Sequence, residues 1–317
     1  MLRQVCAAYW LGITLVLAPL VAAADTSPRD LIERMVSAAG NVSFHGVLVY
    51  GYSGHAEPLE IVRIQESGPK ERLYTLRGVP REVFRDDSQV RWVLPEQGIV
   101  LVEEGRESRR RFTDITGAQL DSLDEYYVVE RAGTDRVADR PAEVLDLKPR
   151  DEYRYGYRLW LDGETGLLIA SECRNADGEV IEHFMFIELD TNPSEAALEP
   201  RLPDSDLELV EAPEPQQSES DGEWRATQLP PGFELLSHGQ RWRKGEDEPV
   251  EHLLYGDGFG AVSVYIAHGE EMDFQGHSGK GATRMAGANV DGHHITVVGE
   301  VPSATIEMVL SGMTREP

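Results

Sequence analysis

The stretch that most constrains the fold is residues 153–189, where three consecutive segments have the pattern of antiparallel β-strands. In the first segment, residues 153–162, Tyr and Leu occupy most odd positions, while Arg154, Arg158 and Trp160 occupy even positions. This period of two places the two sets on opposite faces of a strand. The turn sequences DGETG and NADG separate the three segments, so we predict a three-stranded meander.

The third segment, residues 180–189, is apolar on both faces at its centre. Met185 and Ile187 point to one side of the strand, and Phe184 and Phe186 point to the other. One of these faces is expected to pack in the core of the protein. The second face must be covered by another element or must hold a ligand.

The N-terminus predicts export. Residues 1–24 combine Arg3, an apolar run and an exit rich in small residues, which is typical of a secretory signal peptide. A membrane anchor is the less favoured alternative, because Pro19 and an Ala-rich exit follow a run too short to span a bilayer comfortably. Cleavage would remove Cys6 and leave Cys173 as the single cysteine, so we expect no internal disulfide.

The charge of the chain argues against two classes of partner. The sequence has 56 Asp and Glu residues against 30 Lys and Arg residues, a formal net charge of −26. Nucleic-acid binding needs clustered positive charge, so we expect no nucleic-acid partner. Broad adsorption to anionic membranes is disfavoured for the same reason.

Short strand patterns separated by turns run through residues 41–103 and recur at 126–131 and 142–148. Together with the meander they predict one antiparallel sheet of about ten strands, and open sheets of that size usually curl to give a concave face. A helix is predicted to begin after Ser27, with Pro28 at its first position, and to end near Gly40.

The clearest domain boundary is residues 203–224, which contain eight acidic residues and no Lys or Arg. We interpret this segment as a linker between an N-terminal domain, residues 25–202, and a C-terminal domain, residues 225–317. The fold class is therefore predicted to be α+β, with a large curved antiparallel sheet domain that carries helices and a smaller α+β domain. Strands of the second domain are predicted at 233–238, 251–255, 261–266 and 294–298, and its helix is predicted to start at Ser303.

The sequence contains little that resembles a catalytic site. The segments GYSGH and GHSGKG lack the second glycine of a nucleophile elbow, and GDGFG joins two predicted strands, which favours a hairpin turn over a phosphate loop. The histidines lack the regular spacing of metal ligands, and Cys173 is expected to be a buried, inert thiol. We therefore expect no enzyme activity, no cofactor and no metal site.

Several long segments resemble one family. The C-terminal segments LPPGFELLSHG, HLLYGDGFGAVSVYI and HHITVVGEVPSATIEMVLSGM are similar to the MucB/RseB family of periplasmic sigma-factor regulators, and so are VSFHGVLVYGY and IEHFMFIEL nearer the N-terminus. The resemblance implies an N-terminal domain like the half barrel of lipoprotein carriers. It also implies a periplasmic protein that binds the periplasmic part of a MucA/RseA-like anti-sigma factor, shields it from proteolysis, and releases it when lipid or lipopolysaccharide binds.

The alternative function is that of a periplasmic carrier of lipids or lipoproteins. The sequence also allows a homo-oligomer. If the protein binds lipid, we predict that the ligand lies in an apolar groove on the curled sheet. The residues predicted for this groove are Val49, Trp92, Trp160, Phe184 and Phe186. Ordinary core packing is the competing explanation for each of these residues. The most basic segment of the chain contains Arg106, Arg109, Arg110 and Arg111. We expect these side chains to contact the partner or a phosphate group.

Overall fold

The computed structural model describes residues 26–66, 68–104, 117–211, 216–217, 223–241, 250–269 and 276–315. The predicted signal peptide, residues 1–24, lies outside the described residues. The arginines predicted to contact the partner or a phosphate also lie outside the described residues. They are Arg106, Arg109, Arg110 and Arg111.

The first helix, α1 (Pro28–Asn41), begins where the sequence predicts. The Ser27 side chain accepts a hydrogen bond from the backbone N–H of Asp30, and the Asp30 carboxylate accepts one from the N–H of Ser27. This reciprocal pair is a capping box, which satisfies two backbone groups that a helix start leaves unpaired. The buried side of α1 packs on the large sheet through Leu31, Ile32, Met35 and Ala38.

Among the described residues, twelve strands form the large sheet of the N-terminal domain, which is curved as the sequence predicts. In chain order they are β1 (Phe44–Tyr52), β2 (His55–Ile64), β3 (Lys70–Thr75), β4 (Glu82–Arg85), β5 (Gln89–Leu94), β6 (Ile99–Glu104), β7 (Tyr127–Val137), β8 (Arg140–Pro149), β9 (Gly156–Asp162), β10 (Leu168–Arg174), β11 (Val180–Asp190) and β12 (Glu208–Glu211). Their order across the sheet is β12-β6-β5-β4-β3-β2-β1-β11-β10-β9-β8-β7. Helix α2 (Gly117–Tyr126) lies between β6 and β7 in the chain.

The predicted meander is confirmed as β9, β10 and β11, which pair antiparallel in that order. Its first strand is shorter than predicted, because β9 begins at Gly156 and not at residue 153. Tyr153, Arg154 and Tyr155 leave the sheet to make contacts with the C-terminal domain. Those contacts replace the ladder hydrogen bonds that a longer strand would have made.

The two apolar faces of β11 have different surroundings. Phe184 is opposite Tyr50 and Phe186 is opposite Leu48, and Phe186 is buried with its ring 5.7 Å from that of Phe44. This face is the core. On the other face, Met185 is 45% exposed, so the uncovered side of the strand is the Met side.

Part of the predicted linker, residues 203–224, belongs to the large sheet. Strand β12 pairs in parallel with β6, so that Glu208 lies opposite Ile99 and Glu211 lies opposite Val102. The acidic composition of this segment gave no sign of a strand, because acidic side chains suit an exposed edge strand as well as a linker.

The C-terminal domain is built on a second sheet. Its strands are β13 (Gln216–Gln217), β15 (Glu234–Arg241), β16 (Val250–Gly256), β17 (Ala261–His268), β18 (Gly276–Lys280), β19 (Thr283–Val290) and β20 (His293–Gly299), and β14 (Trp224–Ala226) pairs separately with β21 (Met313–Arg315). The four predicted strands correspond to β15, β16, β17 and β20, while β13, β14, β18, β19 and β21 were not predicted. Helix α3 (Ser303–Gly312) begins at the predicted residue and buries Ile306 and Val309 in the domain core.

A buried ion cluster attaches the end of the N-terminal domain to its sheet. The Arg72 guanidinium lies 3.2 Å from the Glu82 carboxylate and 3.3 Å from that of Glu60. Glu82, whose side chain has no exposed surface, also accepts hydrogen bonds from the backbone N–H groups of Arg201 and Leu202. The Glu82 carboxylate therefore binds both the guanidinium of Arg72 and the backbone at Arg201 and Leu202.

We expect Glu82→Ala to lower the free energy of unfolding by about 3–5 kcal/mol, because it removes one of the two carboxylates that pair with the buried guanidinium of Arg72 and leaves two backbone donors without their acceptor. Urea denaturation followed by circular dichroism would measure the change. The exposed Glu96→Ala variant is the control and should stay within about 0.5 kcal/mol of wild type. Equal stability of the two variants would contradict the account of this cluster.

Candidate functional site

The two domains meet at a contact that we call the joint, formed by residues 153–155 and Glu182 on one side and by residues 257–260, 281–282 and 301–305 on the other. The hydroxyl of Tyr155 lies 2.9 Å from the carbonyl oxygen of Ala282 and 3.0 Å from that of Val301. Because a phenol has one proton, its donation is shared between the two carbonyls. The Thr305 hydroxyl donates to the carbonyl of Tyr153 at 2.7 Å, so the joint ties this segment to the start of α3.

Arg154 carries the charge of the joint. Its Nε lies 2.7 Å from the carboxylate of Asp257, and the two side chains are 2% and 0% exposed. Its other guanidinium nitrogens donate to Asp151 and to the carbonyl of Pro231. The guanidinium also lies 4.0 Å from the centre of the Tyr126 ring, an additional cation–π contact.

The GDGFG segment is the hairpin turn that the sequence predicts, since β16 ends at Gly256 and β17 begins at Ala261. One carboxylate oxygen of Asp257 accepts hydrogen bonds from the N–H groups of Phe259 and Gly260, and the other faces Arg154. Residue Phe259 packs edge-on against the ring of Tyr127 at 5.3 Å. The motif thus shapes a turn that docks on the N-terminal domain.

A third set of contacts involves the turn between β18 and β19. The N–H of Ala282 donates to the Glu182 carboxylate at 3.0 Å, and the N–H of Gly281 donates to the Ser53 hydroxyl at 3.1 Å. Gly281 has a φ of +58°, in the left-handed region that favours glycine. Tyr50 also hydrogen-bonds to Glu182, and burial followed by this bond raises the pKa of the tyrosine.

Cys173 is buried at the joint, where it packs with Tyr155 and Ala282. Burial, reinforced by the negative charge of Glu182, raises the pKa of the thiol to about 12. The expectation of a buried thiol is confirmed. Because the thiolate is the reactive form, this cysteine is shielded from reagents while the joint is closed.

The five predicted groove residues do not share one surface. Phe184 and Phe186 face the core, whereas Val49 lies opposite Met185 on the other face of the sheet. Trp160 packs partly on the core and donates its Nε1–H to Asp135 at 2.9 Å. Trp92 lies several strands away on β5, opposite Leu101 of β6. Whether any of them contacts lipid stays a prediction.

The half-buried Val49 and the exposed Met185 and Ile187 form an apolar surface that we call the outer strip. Ile187 is 54% exposed, and it is the extra residue of a β-bulge, because Val47 pairs with Glu188 while Leu48 pairs with Phe186. Bulges change the direction in which side chains point. Here the bulge leaves a large aliphatic side chain in contact with solvent.

Sequence reasoning missed the residues that form the joint. Arg154 was placed on the polar face of a strand, and Asp257 was explained by its turn alone. These two residues are separated by 103 positions in the chain, so no local pattern connects them. Within the described part of the chain, no group of three or more His, Cys, Asp or Glu side chains is placed to hold a metal ion. The described helices are also too short or too polar to cross a membrane.

Comparison with known proteins identifies the family. Models of the MucB/RseB N-terminal domain and the MucB/RseB C-terminal domain match residues 27–212 and 218–314. The chain belongs to the MucB/RseB family. The sigma factor AlgU regulatory protein MucB of Pseudomonas aeruginosa is 34% identical over 311 residues, covering 96% of this chain and 95% of that protein. The sigma-E factor regulatory protein RseB of Haemophilus influenzae is 24% identical over 302 residues, covering 95% of each protein.

Solved structures of MucB have the same fold as this MucB/RseB family member. A crystal structure of MucB in complex with MucA(peri) superimposes with a TM-score of 0.71 and 30% identity, covering 92% of this chain and 100% of that chain. A second structure, of the Pseudomonas aeruginosa MucA/MucB complex, gives a TM-score of 0.73 and 29% identity, covering 92% and 99%. The likeness includes both domains.

The joint can be tested with Cys173 as a natural reporter, because the chain from residue 25 onward contains no other cysteine. We expect Arg154→Ala to speed thiol labelling of Cys173 by at least tenfold, since removing one partner of a buried ion pair costs about 3–5 kcal/mol. The rate of reaction with a chromogenic disulfide would be measured under native conditions. The control is Arg136→Ala, at a side chain that is 71% exposed. Equal labelling rates in the two variants would contradict the proposed role of Arg154.

Proposed function

We propose that this protein binds the periplasmic part of a membrane-spanning anti-sigma factor of the MucA/RseA type and thereby keeps an envelope-stress sigma factor inactive. The observation that carries the proposal is the match of both domains, in sequence and in fold, to MucB crystallised with MucA(peri). Sequence identity of 34% along nearly the whole chain supports the transfer of this role. The signal peptide predicted for residues 1–24 supports a periplasmic location.

In this proposal the complex protects the anti-sigma factor from proteolysis. A protease needs an extended, accessible segment of its substrate, and a segment that is held against a folded partner is not accessible. Protection therefore depends on the fraction of anti-sigma factor that is bound, and it follows the affinity of the complex.

The outer strip is our candidate for part of the partner contact. Val49, Met185 and Ile187 expose apolar surface on a protein that is otherwise strongly acidic, and exposed apolar patches mark sites of interaction with other proteins or ligands. The arginines at 106 and 109–111 remain candidates for an accompanying polar contact. We assign them no geometry, because they lie outside the described residues.

Release by lipid follows from linkage between two binding equilibria. An amphiphile that binds the free regulator more tightly than the complex must weaken partner binding by the same factor. Each buried methylene contributes about 0.8 kcal/mol, and about 1.4 kcal/mol changes an equilibrium tenfold. A few methylenes of difference between the two states are therefore enough. The carrier alternative fits less well, because Phe186 is buried in the core and is not available to a ligand.

A protection assay tests the proposal. We expect wild-type protein to slow cleavage of the purified periplasmic segment of a MucA/RseA-type anti-sigma factor by its site-one protease. Met185→Asp combined with Ile187→Asp should weaken binding of that segment at least tenfold, because it places two charges in the apolar contact. Isothermal titration calorimetry would give the affinity.

The control for this assay is Val180→Asp, which places one carboxylate on an exposed residue of the same strand, 44% accessible and away from the outer strip. It should bind like wild type. Cleavage at the same rate with and without wild-type protein would overturn the proposed function. Normal binding by the double variant would overturn only the assignment of the outer strip.

A further inference from the structure

We propose that the open cavity between the two domains is a binding site for a small amphiphile that carries an ammonium group. The site lies beside the joint, on the opposite face of the sheet from the outer strip. It is independent of the proposed function, because binding at this site requires no anti-sigma factor.

The cavity has a volume of about 410 Å³ and draws its walls from both domains. Volumes of roughly 300–1,000 Å³ are typical of sites for small organic ligands. Leu168 and Phe184 of the N-terminal domain form one apolar wall, and Leu236 and Phe259 of the C-terminal domain form the facing wall. A short alkyl chain would be enclosed by these four side chains.

Two carboxylates give the cavity its polar end. Glu182 reaches it from β11, and Glu300 reaches it from the segment between β20 and α3. Glu182 is already held by the N–H of Ala282 and by the hydroxyl of Tyr50. Glu300 lines the cavity but is solvent-exposed. Partial desolvation by neighbouring groups, followed by the negative charge of Glu182, raises the pKa of Glu300 above its ordinary value of 4.5.

The described residues that line the cavity include no Lys or Arg. Arg284 is the guanidinium whose charge influences Tyr155 and Cys173 beside the cavity. Its Nη1 donates to the carbonyls of Gly281 and Thr283 at 2.7 and 2.9 Å, and it is not among the lining residues. His183 is the basic side chain within the lining. The lining of the cavity thus combines apolar side chains with two carboxylates, and no Lys or Arg lies among the described lining residues.

This arrangement selects the charge of the ligand. A ligand with an ammonium group places a positive charge next to two carboxylates in a region of reduced dielectric constant, where opposite charges attract more strongly than in water. A fatty acid or a phosphate-bearing lipid would place a like charge there and would be repelled. Because both domains supply the walls, the ligand binds the arrangement in which the joint is closed.

The test compares three probes that share one alkyl chain: octylammonium, octanol and octanoate. We expect saturable binding of octylammonium to the wild-type protein by isothermal titration calorimetry, at least tenfold tighter than the binding of octanoate, with octanol between them. Lowering the pH through the pKa of Glu300 should weaken octylammonium binding, because a proton then competes with the ammonium group for the carboxylate. Binding of octanol should change little over the same range.

Three variants separate the site from unspecific adsorption. Glu300→Gln should reduce the preference for octylammonium over octanoate several-fold, whereas Glu188→Gln, an exposed carboxylate on the outer face of β11, should leave the preference unchanged. Ser171→Leu, which fills the cavity, should abolish binding of all three probes. The unfolding temperature of each variant shows whether it has folded. Equal or tighter binding of octanoate, no saturable binding of octylammonium, or an unchanged preference in folded Glu300→Gln would each overturn the proposal.

Discussion

The arrangement of this protein depends on one buried ion pair, between Arg154 of the N-terminal domain and Asp257 of the C-terminal domain. Both side chains are almost completely removed from water. A charge that is buried without a partner is far more costly than one in solvent. The two domains therefore favour the arrangement in which the guanidinium and the carboxylate meet. The N-terminal domain supplies the positive charge, and the C-terminal domain supplies the negative charge.

Several other contacts form only in that position. The Tyr155 hydroxyl reaches two carbonyls of the C-terminal domain, the Glu182 carboxylate reaches the N–H of Ala282, and Cys173 becomes buried. The cavity with carboxylates at its polar end has walls from both domains for the same reason. In this member of a two-domain family, the joint therefore also shapes the cavity that we propose as a ligand site.

Local signals in the sequence predicted much of the fold, and tertiary contacts account for what they did not predict. The alternation in residues 153–189 and the Ser27-Pro28 helix start are local, and both were confirmed. The start of β9 was wrong by three residues because Arg154 and Tyr155 bond to a distant part of the chain. Strand β12 was missed because its pairing with β6 depends on the path of the chain and not on its composition. Alternation showed that β11 is apolar on both faces, but only packing could show that the Phe side is the core and the Met side is exposed.

The most direct test of a closed joint is hydrogen exchange at two backbone amides, measured by NMR on the full mature chain. The N–H groups of Gly281 and Ala282 donate to Ser53 and Glu182 across the joint, so their exchange requires this contact to open. A joint held by Arg154 predicts strong protection at both amides in the free protein. Exchange of both at the rates of an unstructured peptide would contradict it, because the domains would then spend much of their time apart.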